Sequence, residues 1–154
     1  MNKPALIEKL NRAIALELAA AIQYNHYSNT LLGADRRIWH ELFEDMSEGG
    51  LKDARKFGFR VFALGGTPTI EPAQVKLASN ITEMLNNALE HERALVQAYT
   101  EALAECQGSA AYRNLLEEQI QHEHDEVEEL LVYLSKVERA AMTAPAAKRQ
   151  HKTA

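Results

Sequence analysis

The chain has 154 residues, of which 46% are apolar and 25% charged, and its formal net charge at pH 7 is −5. This size suits one domain with a buried core, and the net negative charge argues against a nucleic-acid partner, since no basic face offsets it. The single cysteine, Cys106, cannot form an internal disulfide, and neither an apolar leader nor a membrane-spanning segment is expected from the apolar pattern. We therefore expect a cytoplasmic protein with no membrane partner.

Four long helices are predicted, because only four prolines and seven glycines interrupt the chain. A capping side chain opens each helix, and a glycine or the loss of the apolar pattern closes it. The expected segments are Asn2–Gly33, Asp35–Gly65, Asn80–Gly108 (with Glu83 completing a capping box) and Ser109–Ala140. The predicted bundle domain thus covers residues 1–140, and the basic residues 141–154 are expected to form a flexible C-terminal tail.

The connections between these helices alternate short, long and short. Only a few residues around Gly33 join the first two helices, and the same holds around Gly108, so each pair is predicted to be an antiparallel hairpin. Between the hairpins, residues 65–79 can extend roughly 50 Å, which exceeds the ~42 Å length of a helix of about 28 residues. The predicted fold class is all-α: a four-helix bundle in which one long crossover joins two hairpins.

Helices one and three carry apolar stripes that a single acid interrupts. The steps of three and four that keep residues on one helix face are met by Ile7, Leu10, Ile14, Glu17, Ala21 and Tyr24 in the first, and by Ile81, Leu85, Ala88, Glu92, Leu95 and Tyr99 in the third. In both stripes a tyrosine follows the glutamate by seven residues. This repeated pattern predicts a duplicated hairpin.

Helices two and four support the same duplication. Asp53 follows Glu17 at nearly the spacing at which Glu126 follows Glu92. The pair Gly50 and Asp53 is therefore the counterpart of Glu123 and Glu126. Each pair is separated by three residues, which places both members on one helix face.

Acids on the core seams of a bundle predict a metal site. Burying several carboxylates without positive charge costs several kcal/mol for each one, and Arg60 is the nearest basic residue on the seams. Metal cations with oxygen ligands would compensate the charge, and Tyr24 and Tyr99 are positioned to hydrogen-bond the ligands. The predicted metal ligands are Glu17, Asp53, Glu92, Glu123 and Glu126.

The prediction leaves alternatives open on helices two and four. The segment QIQHEHDEVEEL is acidic on all sides, so a solvated face competes with the metal site at Glu123 and Glu126. Asp53 is open to the same alternative. His122 would replace Glu126 as a ligand only if the fourth helix were rotated, and both His122 and His124 are interpreted as surface residues.

Three segments resemble the bacterioferritins of the ferritin superfamily: LNRAIALELAAAIQYNHYS, ALGGTP and TEMLNNALEHERALVQAY. The resemblance covers roughly residues 5–137. It implies a ferritin-like bundle with a di-iron carboxylate site, in which Glu17 and Glu92 are metal ligands, and a homo-oligomer that is at least a dimer. It also implies iron storage or detoxification.

The chain departs from this family where two Glu-x-x-His motifs are expected. Gly50-x-x-Asp53 replaces the first motif and removes a bridging glutamate, and Glu123-x-x-Glu126 replaces the second. We therefore expect weakened oxidation of Fe(II). Leu51 stands where the haem-binding methionine would fall, so haem is not expected. Adjacent glycines inside a helix cost ~1 kcal/mol each, which predicts a bend, a π-bulge or room for a ligand at Gly49-Gly50.

Two classes of function follow from the sequence. The first is an iron-binding, bacterioferritin-like protein, with oxidation of Fe(II) left open. The alternative is a ferritin-fold structural or partner-binding protein that has lost the oxidase centre, or that binds a single cation such as Zn²⁺ or Mn²⁺.

Overall fold

In a computed structural model, which describes residues 1–144, the chain forms four α-helices and no strand. They are α1 (Lys3–Thr30), α2 (Arg36–Ala63), α3 (Ile81–Ala104) and α4 (Ala110–Thr143). α1 packs against α2 and α3, and α3 packs against α4. The predicted all-α bundle of two hairpins is confirmed, and α4 continues three residues past its predicted end. Most of the predicted tail, residues 145–154, lies outside the described residues.

None of the helices within residues 1–144 is both long and apolar enough to cross a membrane.

Local side-chain and glycine signals set the helix ends. The side chain of Asn80 accepts a hydrogen bond from the backbone N–H of Glu83 at 3.0 Å, as an N-cap does. The Glu83 carboxylate accepts from the backbone N–H of Ser79, one residue before the position that the predicted capping box requires. Glycines with positive φ follow the first three helices at Gly33, Gly65 and Gly108.

The crossover runs along α1, as its length predicts. Three of its backbone N–H groups donate to successive positions on that helix: Thr69 to Asn11 Oδ1 (2.9 Å), Ala73 to Ala15 O (2.7 Å) and Lys76 to Gln23 Oε1 (2.8 Å). Near the far end of α1, the Tyr27 hydroxyl donates to the carbonyl of Lys76 at 2.6 Å. The crossover is thereby fixed to the bundle at several levels.

The core consists of two apolar clusters. On every helix, the seam acids lie between the residues that belong to one cluster and those that belong to the other. One cluster is built around Leu10, Phe57 and Tyr99, and the other around Tyr24 and Phe43. The burial of large aromatic and aliphatic side chains in both clusters supplies the main stabilising free energy. It also offsets the cost of the polar layer between them.

Gly50 is needed for close packing of α1 against α2. A Cβ atom at this position would lie 2.9 Å from the backbone oxygen of Glu17 and 3.2 Å from the backbone nitrogen of Ala21. The α-helix continues through Gly49 and Gly50, so the π-bulge, one of the three alternatives expected there, is wrong. The missing side chain lets two backbones approach each other.

Candidate metal centre

The structure brings the five acids predicted from the sequence into one layer. They form two overlapping groups of three, in which one carboxylate oxygen from each member lies within 4.8 Å of the others. The groups are Glu17 with Asp53 and Glu123, and Glu92 with Glu123 and Glu126. Glu123 alone belongs to both groups and connects them. We call them the Asp53 subsite and the Glu126 subsite.

Burial changes the ionisation of this layer. Glu17, Glu92 and Glu123 are at most 2% exposed, and Asp53 is 8% exposed. Desolvation, together with the charges of neighbouring carboxylates, raises the pKa values of Glu17 and Glu92 well above the ordinary glutamate value. Desolvation also raises the pKa of Glu123 to about 7. Without a cation, part of the layer therefore holds protons at neutral pH.

Two buried tyrosines hydrogen-bond the layer crosswise, which confirms the expectation drawn from their spacing. The Tyr99 hydroxyl on α3 donates to Glu17 Oε1 on α1 at 2.5 Å, and the Tyr24 hydroxyl on α1 donates to Glu92 Oε1 on α3. Burial raises the pKa of both phenols, so both remain protonated donors at neutral pH. Each bond orients one carboxylate oxygen, as outer partners of a metal ligand do.

Two residues of the site, Lys56 and Gln119, were missed by the sequence reasoning. The Gln119 amide, which is 2% exposed, donates to Asp53 Oδ2 at 2.9 Å and to Glu123 Oε1. The Lys56 ammonium lies 3.2 Å from Asp53 Oδ1 and donates to Gln119 Oε1. A usable signal was present, because Lys56 follows Asp53 by three residues and Gln119 precedes Glu123 by four.

The expectation that Arg60 is the nearest seam cation is wrong. Its guanidinium lies 5.8 Å from the centroid of the Phe59 ring, and it lines a hollow beside α4 with Tyr112 and Glu118. Arg60 lies one helical turn beyond Lys56 on α2, and it is Lys56 that reaches Asp53.

The acid layer opens to the surface at Glu126. His122 and Glu126 line the small cavity that contains the layer. The His122 side chain is 53% exposed, and its Nε2 lies 3.5 Å from Glu126 Oε1. His122 is thus at the mouth beside Glu126 and does not replace it, while His124 is exposed as expected.

A groove between α2 and α4 adjoins this mouth. Met46 and Glu126 line both the groove and the inner cavity. The other acids that line the groove are Glu41, Asp45 and Glu129. The approach to Glu126 is therefore acidic.

The donor set fits hard cations. It consists of carboxylate oxygens, the ligand type that suits Mg²⁺, Mn²⁺ and similar ions, with one histidine at its edge. Two groups of three that share one carboxylate match the arrangement of a two-metal site, whose ions are about 3.5–4 Å apart.

A family model described as a ferritin-like domain matches residues 7–140. The chain belongs to the ferritin-like family. This agrees with the four-helix architecture and with the resemblance seen in the sequence. Family membership supports an iron-storage type of function at the level of the family.

Two curated relatives illustrate this membership. The chain is 34% identical over 127 residues to a nutrient stress-induced DNA-binding protein of Synechococcus sp., covering 73% of this chain and 70% of that protein. It is 31% identical over 130 residues to a bacterioferritin of Desulfovibrio desulfuricans, covering 79% and 70%.

Solved structures show the same architecture. A ferritin-like, diiron-carboxylate protein from Bacillus anthracis superposes with a TM-score of 0.84 at 31% identity, covering 87% of this chain and 98% of that one. A dodecameric thioferritin from Bacteroides fragilis has the same TM-score at 21% identity, covering 95% and 94%. The second likeness concerns the fold alone.

Proposed function

We propose that this protein binds iron as cargo in the buried acid layer and serves in iron storage or detoxification. The observation that carries the proposal is the convergence of five carboxylates, four of them at most 8% exposed. The free energy cost of gathering these charges is several kcal/mol per group. Two bound cations would remove it.

In this proposal Glu17, Asp53 and Glu123 hold one ion, and Glu92, Glu123 and Glu126 hold the other. The geometry supports this because one oxygen of each carboxylate is within 4.8 Å of its group partners. Tyr99 and Tyr24 orient the carboxylates of Glu17 and Glu92. Iron is favoured over other hard cations by the bacterioferritin and diiron-carboxylate relatives.

Oxidation of Fe(II) is proposed to be slow. Each iron gives one electron to a shared oxidant, so the two ions must be held at a fixed separation. Glu123 is common to both subsites, whereas Gly50 on α2 offers no carboxylate. The close approach of the α1 backbone to Gly50 also leaves no room there for a longer side chain.

We also propose that the chain works as a cytoplasmic homo-oligomer. Large apolar side chains stay exposed on the single chain, including Phe59 (63%), Phe62 (70%) and Leu77 (71%). Contiguous exposed apolar residues mark association surfaces, and Phe59 and Phe62 are three residues apart on one face of α2. The dodecameric neighbour shows that this fold can assemble.

Nucleic acid is not a partner in this proposal. The name of the Synechococcus relative describes DNA binding by that protein. The net charge of −5 on the present chain opposes binding to a polyanion. An affinity for duplex DNA that falls steeply with salt would contradict this part.

The test is an anaerobic Fe(II) titration followed by stopped-flow oxidation, with wild type compared with Glu123→Gln and Glu128→Gln. Wild type should bind about two Fe(II) per chain. The Glu123 variant should lose most of this capacity, because its carboxylate serves both subsites. Glu128 is exposed and near the same helix position, so its variant should behave like wild type. Failure of wild type to bind Fe(II) would refute the proposal.

A second candidate function, binding of a single cation, is favoured by the ammonium of Lys56. That group already lies 3.2 Å from Asp53 and compensates charge in one subsite. A titration that saturates at one ion per chain, with no second step at high concentration, would favour this function over the first.

A further inference from the structure

The two subsites are unequal in their surroundings, although the duplicated hairpins make them equivalent in position. Three residues after Asp53 stands Lys56, and three residues after Glu126 stands Glu129. Four residues before Gly50 stands Met46, and four before its counterpart Glu123 stands Gln119. One subsite therefore faces an ammonium and an amide, and the other an acid and a thioether.

Lys56 and Gln119 hold the Asp53 subsite closed. Both Asp53 oxygens are occupied, Oδ1 by the Lys56 ammonium at 3.2 Å and Oδ2 by the Gln119 amide at 2.9 Å. The same amide donates to Glu123 Oε1, and Lys56 in turn donates to Gln119 Oε1. A cation entering this subsite must displace these donors and approach a positive charge.

The Glu126 subsite has no such barrier among the described contacts. Glu126 faces the acidic groove with Glu41, Asp45 and Glu129. His122 is the basic group beside it, at 3.5 Å and more than half exposed. The groove concentrates cations at this mouth and leads them to Glu126 first.

We propose that Lys56, positioned by Gln119, acts as a latch that makes cation loading sequential, with the Glu126 subsite filled first and the Asp53 subsite second. The inference rests on the proposed function, since it concerns the order in which the same layer takes up its ions. Lys56 is a positioning residue and a specificity determinant, because it acts on the cation through Asp53 and through its own charge. Filling the second subsite moves the ammonium away from Asp53.

The test uses Mn²⁺ as the probe, because free hexaaqua-Mn²⁺ is read directly by EPR and both steps can be followed by calorimetry. Wild type should show a tight and a weak step. Lys56→Gln and Gln119→Met should tighten the weak step by roughly tenfold or more, because a unit charge a few ångströms from the ion in a partly buried site costs more than about 1.4 kcal/mol. Lys56→Arg keeps the charge and should retain the weak step. Lys52→Gln removes an exposed lysine one turn earlier on α2 and should change neither step.

Ligand variants assign the steps. Asp53→Asn should remove the weak step and leave the tight one, whereas Glu126→Gln should weaken the tight one. Circular dichroism and a thermal melt check that each variant folds. A merely structural role for Lys56 would lower affinity when it is removed, so the predicted gain of affinity separates the two roles.

The outcomes distinguish this inference from the function on which it rests. Two Mn²⁺ steps that Lys56→Gln and Gln119→Met leave unchanged would overturn the latch while leaving cation binding in place. Loss of the tight step in Asp53→Asn would overturn the order of loading. Absence of any Mn²⁺ or Fe(II) binding to wild type would refute the proposed function, and the latch with it.

Discussion

α1 and α3 are matched at the acid layer, whereas α2 and α4 are not. Glu17 with Tyr24 has its counterpart in Glu92 with Tyr99, and each tyrosine hydroxyl donates to the glutamate of the other helix. On α2 and α4 the counterparts differ in chemistry: Gly50 corresponds to Glu123, and Lys56 corresponds to Glu129. A duplicated backbone therefore gives two equivalent positions without giving two equivalent sites, because charge and packing at a few positions decide what each one binds.

The largest expected effect is on the free energy of unfolding of the metal-free protein, and it tests whether the acid layer destabilises the fold when no cation is bound. The pKa of Glu123 is raised from 4.5 to about 7, so the folded state binds its proton more tightly than the unfolded state. Its contribution to stability is present below about pH 4.5 and is lost as the pH rises through 7, a change of about 3 kcal/mol at 1.36 kcal/mol per pKa unit. Urea unfolding of the metal-free protein across this range measures it.

Two comparisons sharpen this pH experiment. Glu123→Gln should reduce the pH dependence, since a neutral amide carries no titration while Glu17 and Glu92 still titrate with raised pKa values, and Glu128→Gln should leave it unchanged. Added Mn²⁺ should restore stability at the upper end of the range, because only the ionised carboxylates bind it. A metal-free protein whose stability rises between pH 5 and 7 would contradict the raised pKa values.

The next largest effect is the loss of stability expected when a carboxylate is introduced at Gly50 on α2. Gly50→Glu should destabilise the fold by about 1–3 kcal/mol, the usual cost of overpacking, because its Cβ would lie 2.9 Å from the Glu17 backbone oxygen. Gly49 lines the cavity and has open space at its Cβ. Gly49→Glu should therefore avoid the steric clash of Gly50→Glu, and up to ~1 kcal/mol of helix propensity offsets part of the cost of one more carboxylate beside the layer.

Chemical denaturation and stopped-flow Fe(II) oxidation together decide this comparison. If the missing bridge limits oxidation, Gly49→Glu is the variant with room to raise the rate. A Gly50→Glu, Asp53→His variant that is as stable as wild type and oxidises Fe(II) fast would show that packing does not limit the site.

A smaller effect is expected from the tyrosines, and it should be similar in both halves. Tyr99→Phe and Tyr24→Phe each remove one buried hydrogen bond to a glutamate, and a typical hydrogen bond contributes roughly 0.5–1.5 kcal/mol to stability. Each variant should weaken Mn²⁺ binding by about tenfold. Unequal losses, measured by calorimetry, would show that the asymmetry reaches α1 and α3.

The smallest effect concerns the acidic groove. Glu129 is exposed, so Glu129→Gln should slow Mn²⁺ uptake only about two- to fivefold, and the difference should shrink as salt screens the groove. Glu128→Gln is the matched control. Uptake that slows equally in both variants would remove the groove from the loading route.

The sequence predicted the architecture well because the apolar periodicity indicates helices, the capping residues indicate their ends, and the loop lengths indicate how they are connected. The spacing of Glu17 to Tyr24 and of Glu92 to Tyr99 also located the acid layer. It could not show that Gly50 serves close packing, since that depends on the distance between the α1 and α2 backbones. The spacing of Lys56 from Asp53 shows only that the two side chains can pair on one face of α2. That the Lys56 ammonium also reaches Gln119 depends on the distance between α2 and α4, which the sequence does not give.

The crossover also gives a readout of local opening that is separate from the four helices. Its amides at Thr69, Ala73 and Lys76 donate to α1 and take no part in the hydrogen bonding within any helix. Their hydrogen exchange therefore reports the release of the crossover from α1 separately from helix fraying. Since the acid layer needs side chains from both hairpins, the protection of these three protons should increase when the layer is filled.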